Sequence, residues 1–176
     1  MKAGYRTFRR DDSGLIIMRE GVQKEGLMSL IEDLPSGLNM LEIGCYSGES
    51  TLLFAQSGKM NSIHVVDTWA GSNKIAEAVF DRRMEDYEVK KIKGNINRAL
   101  SYLPPIDFVY IDGAHTYAAV KNDIIKAKVI LIKGGIIGGH DYCDQYKDRV
   151  VKAVNEVLGS PDKVYPDSSW LKYSIG

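Results

Sequence analysis

Five short runs carry the residues of this chain that could do chemistry. "LEIGCYSGEST" (Leu41 to Thr51) sets Glu42 ahead of Gly44 and Gly48, with Tyr46 and Ser47 between the glycines. "HVVDTW" contains Asp67, and "KGNI" brings Asn95 and Ile96. "FVYIDGAHTY" holds Asp112 and His115, and "GGIIGGHDY" holds the adjacent His140 and Asp141. Carboxylates and imidazoles move protons near neutral pH and ligate divalent ions. A Gly-x-x-x-Gly turn lets a ligand lie against bare backbone. An acid about 20 residues further on can take two hydrogen bonds from ribose hydroxyls. The spacing departs from Gly-x-Gly-x-x-Gly, so the turn offers a dinucleotide pyrophosphate less of a cradle. Together these residues point to a nucleoside ligand. If that ligand carries an ammonium group, Glu42 or a neighbouring carbonyl could hold it.

The elements that must position these residues follow from periodicity. Val22, Gly26, Leu27, Leu30, Ile31 and Leu34 recur at helical spacing, stopped by Pro35-Ser36-Gly37. "NMLEIG" reads as a buried strand, Glu49 to Gln56 as a helix, and "SIHVVD" as a second strand. Ile75, Val79, Phe80 and Tyr87 mark a helix, "YEVKKIKG" a third strand, and Ile96 to Leu103 a short helix ended by Pro104-Pro105. "IDFVYID" is the fourth strand. Val120, Ile124, Ala127 and Leu131 form another helix, and Gly134-Gly135 turns the chain into the strand "GIIGGHD". Gly138 and Gly139 there would let backbone approach a ligand or a helix. After a helix around residues 150–158 come two strand-like pieces, near 163–165 and 169–173, that read as a hairpin. Alternating strands and helices imply an open α/β sheet, mostly parallel, with helices on both faces and an antiparallel end. In such a sheet ligands sit outside the carboxyl ends of the strands, where all five runs fall. The chain reads as a single domain over 1–176, with an N-terminal helical segment over 1–38 and a core over 39–176.

Composition narrows the function classes. With 44% hydrophobic and 26% charged residues among 176, this is the make-up of an ordinary globular domain. Lys+Arg 23 against Asp+Glu 23 leaves no global field to gather nucleic acid or anionic lipid. The "MKAGYRTFRRDD" start lacks an apolar leader core, and no run approaches the ~18 apolar residues of a membrane span. Neither a polynucleotide nor a membrane is therefore expected as a partner. Cys45 and Cys143 form no framework and read as free thiols of a cytoplasmic protein.

At this point "LEIGCYSGEST", "HVVDTW", "FVYIDGAHTY" and "GGIIGGHDY" resemble the successive motifs of class I S-adenosylmethionine-dependent methyltransferases. More narrowly they are similar to the branch that includes macrocin-type O-methyltransferases and cephalosporin hydroxylase-like proteins. The likeness runs from about Met40 to Trp170. It implies a Rossmann-like, seven-stranded sheet with a reversed final strand. It further implies that Gly44, Tyr46, Ser47 and Gly48 line the methionine part of the cofactor, with Glu42 beneath the turn. Asp67 would hold the ribose, Asn95 and Ile96 would approach the adenine, and Asp112 would face the sulfonium and the acceptor. In related metal-dependent enzymes an acid after strand four and a polar pair after strand five hold an ion, here Asp112 with His140 and Asp141. Mg²⁺ or Mn²⁺ would serve, although imidazole suits a transition ion better than Mg²⁺.

The expected activity is methyl transfer to a small-molecule hydroxyl, with Asp112, His115 and His140 as the catalytic groups. A neighbouring subunit could complete the pocket, making a homo-oligomer. Plainer readings stand beside each residue. His140 fits a neutral histidine tied to the strand end, Asp141 a helix cap, and Thr116 an N-cap that leaves His115 to packing. Trp69 fits either the border of the adenine pocket or the cover of a helix end. The same motifs also suit a nucleoside-binding domain without transferase activity, or a different reaction on the same fold.

Overall fold

The computed structural model describes residues 9–70 and 74–175, so the leader reading, which rests partly on residues 1–8, lies outside the described residues. Seven strands form one sheet: β1 (Leu38–Ile43), β2 (Met60–Asp67), β3 (Val89–Lys93), β4 (Ile106–Ile111), β5 (Leu131–Gly139), β6 (Lys163–Val164) and β7 (Trp170–Ile175). Their order is β3-β2-β1-β4-β5-β7-β6. The first five run parallel, and β7 pairs antiparallel with both β5 and β6. This is the mostly parallel sheet with a reversed C-terminal hairpin that the alternation of elements predicts.

Among the described residues six α-helices flank the sheet: α1 (Val22–Asp33), α2 (Glu49–Gln56), α3 (Lys74–Arg83), α4 (Ile96–Ala99), α5 (Tyr117–Ile130) and α6 (Lys152–Leu158). Successive strand residues point to opposite faces, and the core divides accordingly. Met40, Val65, Phe108 and Tyr110 pack with Leu27, Leu30, Phe54 and Phe80 of α1 to α3. Leu41, Ile43, Val66, Val109 and Ile137 pack with Ile96, Val120, Ile124 and Val154 of α4 to α6. Burying both faces requires near-continuous apolar strands, and "IDFVYI" and "MLEI" are of that kind.

Four local expectations change. Among the described residues the N-terminal segment is helical from Val22. Before it the chain folds back on itself through an Arg10–Ile16 bridge, with the Asp11 carboxylate accepting N–H bonds from Ser13 and Leu15. The helix expected over 96–103 stops at Ala99. β5 begins at Leu131, directly after α5, so Gly134 and Gly135 lie within it, beside a register shift between Gly135 and Ile137. Gly138 and Gly139 lie where β5 pairs with β7, packed closely against its residues. A Cβ on Gly138 would fall 2.8 Å from Leu171 Cδ2, and one on Gly139 would fall 2.6 Å from the Ile111 carbonyl and 3.0 Å from the Trp170 ring. Among the described residues no helix is long and apolar enough to cross a membrane.

Candidate active site

The chain runs outward from β1 to β3, then jumps back to place β4 on the other side of β1. At that switch point α2 after β1 and α5 after β4 turn to opposite faces of the sheet, and a cavity of about 800 Å³ opens at the carboxyl ends of the strands. Its volume suits a nucleoside-sized ligand with room beside it. Neighbouring strand ends are tied together around it. Gly44 N–H donates to the Val66 carbonyl at 2.9 Å, Gly94 N–H to that of Asp67 at 2.8 Å, and Asp112 N–H to that of Ile43 at 2.8 Å.

One end of the cavity is built by the glycine turn. Of the residues expected to meet the cofactor, Gly44, Tyr46, Ser47, Asp67, Asn95, Ile96 and Asp112 line the cavity. Gly44 has φ +83°, and a Cβ there would lie 2.4 Å from Gly113 Cα, so this glycine lets the loops after β1 and β4 touch. Asp67 organises the turn from below. Its Oδ2 accepts from Cys45 N–H at 3.0 Å and Tyr46 N–H at 2.9 Å, and its Oδ1 from Trp69 N–H at 2.8 Å. A carboxylate offers about four acceptor positions, so with this turn in place about one is left for a ribose hydroxyl, not two. The Trp69 indole donates to the Tyr46 carbonyl at 2.8 Å, which makes it a brace of the turn and not a border of the cavity. Arg83 clamps the Ser47 carbonyl and its hydroxyl, the latter at 3.0 Å. Asn95 accepts from Arg98 N–H as the cap of α4 while also lining the cavity.

Two expected cofactor residues lie outside the cavity wall. Gly48 (φ +81°) abuts the Phe80 ring, and a side chain there would strike it at 2.8 Å. Glu42 is fully buried on the α1–α3 face, because the strand alternation that sends Ile43 the other way turns it inward. It accepts from the Ser50 and Thr51 hydroxyls at the start of α2, both at 2.5 Å. Burial pushes its carboxyl up to about 7, against those two hydrogen bonds. An ammonium group in the cavity therefore has no direct access to Glu42.

The other end carries the charged groups. Asp141 sits just past β5 with φ +63°, a left-handed conformation that a non-glycine residue adopts only where its surroundings impose it. Its Oδ2 lies 2.9 Å from His115 Nδ1 and its Oδ1 3.1 Å from His140 Nδ1. Burial would raise the Asp141 pKa, but the His115 and His140 hydrogen bonds outweigh it and hold the carboxyl well below the usual range. The bond to Asp141 raises the His115 pKa. For His140, burial opposes protonation, and the Asp141 bond and the Asp112 charge more than restore it. Thr116 does cap α5, accepting from Ala119 N–H at 3.3 Å, which leaves His115 free to face the cavity. Asp141 caps nothing, since its oxygens are taken by the imidazoles.

Asp112, His115 and Asp141 each offer a ligand atom within 4.8 Å of the others, a grouping that could hold a cation. The grouping keeps Asp112 and Asp141 of the expected trio and has His115 where His140 was expected. His140 turns its Nε2 inward, where among the described residues it is buried without a hydrogen-bond partner, 3.7 Å from Asp167 Oδ2. Two carboxylates and one imidazole fit Mn²⁺ or another transition ion better than Mg²⁺.

Several residues here carry no sequence signal. Arg19 enters from the segment before α1 with its side chain only 6% exposed. Its Nη2 lies 2.5 Å from Asp112 Oδ2, and its Nη1 lies 3.5 Å from Asp167 Oδ2. Burial works against its charge, but Tyr110, Asp112 and Asp167 outweigh that and raise its pKa. Glu49, the first residue of α2, accepts the N–H groups of Met18 at 3.0 Å and Arg19 at 2.7 Å. Asp123 of α5 also lines the cavity, with burial pushing its carboxyl up to about 6. The Tyr146 ring stands 5.3 Å from that of His115. Cys45 and Cys143 are both free.

Comparison with known proteins adds to this geometry. A family model described as a methyltransferase domain matches residues 41–142. No curated protein sequence matches the chain. Among solved structures, cofactor-bound Rv0187 from MTB superposes with a TM-score of 0.68 at 16% identity, over 93% of this chain and 84% of that one. An O-methyltransferase from Bacillus cereus in complex with SAH gives 0.66 at 16% identity, over 91% and 84%. An rRNA methylase from Streptococcus thermophilus gives 0.60 at 17%, over 88% and 96%. At these identities the likeness is one of fold.

Proposed function

We propose, from the premise that this chain belongs to the methyltransferase domain family and is an S-adenosylmethionine-dependent methyltransferase, that its acceptor is a hydroxyl of a small molecule. One observation carries the reading: a single cavity joins the glycine turn and Asp67 at one end to Asp112, His115 and Asp141 at the other. When bound, S-adenosylmethionine supplies a methyl group already activated on a sulfonium. The backbone of Gly44 to Ser47, the free acceptor position of Asp67, and Asn95 with Ile96 would hold it, and Asp112 would face its reactive end.

The work left to the chain is to hold the acceptor and manage its proton. His115 is placed for that. Its Nδ1 is tied to Asp141 at 2.9 Å, an arrangement that fixes the ring and leaves Nε2 to accept a proton from an acceptor hydroxyl. His140 backs the Asp141 carboxylate from the buried side. Alternatively a divalent ion, where bound, would be held by Asp112, His115 and Asp141 and would lower the pKa of the acceptor oxygen, taking the place of His115 as base.

The reading includes membership of the branch that holds macrocin-type O-methyltransferases and cephalosporin hydroxylase-like proteins, supported by the meeting of "DGAH" and "GGHD" through the His115–Asp141 pair. It also includes a cytoplasmic site of action, which two free cysteines support. Calorimetry with S-adenosylhomocysteine, followed by a methyl-transfer screen over glycoside, catechol and nucleoside hydroxyls, tests the proposal. Binding without transfer to any acceptor would favour a nucleoside-binding domain, and transfer only to nitrogen or carbon acceptors would overturn the hydroxyl assignment.

A further inference from the structure

Arg19 is the buried cation of a site that otherwise gathers carboxylates. Its guanidinium bridges two of them, Asp112 at 2.5 Å and Asp167 at 3.5 Å, with the Tyr110 hydroxyl 3.4 Å away. Asp167 is itself buried and accepts from Ser169 N–H at 3.0 Å and from the Ser169 hydroxyl at 2.6 Å, so it is a fixed anchor. The backbone that delivers Arg19 is fastened as well, through the two N–H bonds to Glu49. Glu49 directly follows the glycine turn, so one short path links the cofactor end of the cavity to the charge at its reacting end.

We infer that Arg19 is a positioning residue for methyl transfer: it holds the Asp112 carboxylate at the cavity and takes one unit of negative charge away from the group that it forms with Asp112 and Asp167. The inference rests on the S-adenosylmethionine reading above. Its consequence is a balance between two ligands that differ by one charge. The methyl donor carries a positive sulfonium, whereas the product S-adenosylhomocysteine is a neutral thioether at the same place. A site with two uncompensated carboxylates would grip the donor's charge more strongly and give up stabilisation as the charge disappears during transfer. By lowering the negative charge, Arg19 evens the affinities for donor and product.

The test is the ratio of dissociation constants for S-adenosylhomocysteine and S-adenosylmethionine, measured by calorimetry on the full chain. Arg19→Gln should shift the ratio about tenfold toward the methyl donor, and Arg19→Lys, which keeps the charge, should leave it within about twofold of wild type. The double change Arg19→Gln with Asp167→Asn returns the net charge to that of the wild type and should bring the ratio back. That variant also removes the unpaired buried carboxylate that could unfold the single one. A merely structural role for Arg19 would weaken both ligands equally, leave the ratio fixed in all three variants, and overturn the inference while the cofactor reading stands. Wild-type protein that binds neither ligand would instead overturn the cofactor reading, and this inference with it.

Discussion

Glu42→Gln should change how the stability of the protein depends on pH, and the size of the effect follows from where Glu42 lies. The carboxyl is fully buried at the start of α2, and its pKa rises from 4.5 in the unfolded chain to about 7 in the folded one. Below pH 4.5 both states carry the proton and the residue costs nothing. Between 4.5 and 7 the unfolded state gives up its proton while the folded state keeps it, so stability falls as pH rises and levels off above 7. A gap of about 2.5 units corresponds to about 3 kcal/mol lost across that window. The amide put in place of the carboxyl would still accept from a hydroxyl through its carbonyl oxygen, but it cannot ionise. Urea unfolding of both proteins, followed by fluorescence of Trp69 and Trp170 at about pH 4.5 to 8, isolates the contribution because the other titrating groups cancel in the difference. The difference should move by about 3 kcal/mol in favour of Glu42→Gln between about pH 4.5 and 7.5. A constant difference over that range would mean that Glu42 is ionised at an ordinary pKa, and the desolvation reasoning would be wrong.

Asp67→Ala should weaken S-adenosylhomocysteine binding by roughly 1.5–3 kcal/mol by calorimetry and also lower stability, because the same carboxylate holds three N–H groups of the turn and its neighbour; NAD should bind to neither protein, and NAD binding by the wild type would contradict the cofactor reading. Gly139→Ala should cost about 1–3 kcal/mol in urea unfolding, since its Cβ would lie 2.6 Å from the Ile111 carbonyl, while ligand affinity of the folded protein stays put; selective loss of affinity would instead mark the glycine as a ligand contact. If a divalent ion assists transfer, EDTA should suppress activity and Mn²⁺ should restore it. Asp141→Asn should then abolish the rescue and leave S-adenosylhomocysteine binding largely intact, and EDTA-insensitive activity that survives Asp141→Asn would remove the ion from the mechanism.

The sequence made the sheet legible because both of its periodicities are local. Met40 and Leu41, or Tyr110 and Val109, announce opposite faces within two residues, and Val120, Ile124 and Ala127 announce a helix within two turns. It made the glycine turn and Asp67 legible for a related reason, since each ends an apolar run. Arg19 and Asp167 were not legible. "MREG" and "YPDSSW" have the look of loop and turn, and the partnership between them is fixed only by tertiary folding. The choice between His115 and His140 was equally hidden, because it depends on the left-handed backbone at Asp141 and on which ring nitrogen faces the cavity. Gly138 and Gly139 were visible as unusual, but only the neighbouring strand β7 tells which side they serve.

The Arg19–Asp167 pair joins residues about 150 positions apart in the chain. During synthesis Arg19 leaves the ribosome well before Asp167, and in between the strands from β1 to β5 can already be forming. Until the hairpin turn arrives, the place it fills beside α1 stays open. Gly26 packs so closely there that a Cβ on it would fall 2.3 Å from Asp167 Oδ1. A nascent chain halted before that turn would carry a guanidinium lacking one of its two anions, and a helix with nothing against its glycine. Such a chain should be looser and more open to proteases than the finished one, because the contacts of Asp167 with Gly26 and Arg19 are missing from it.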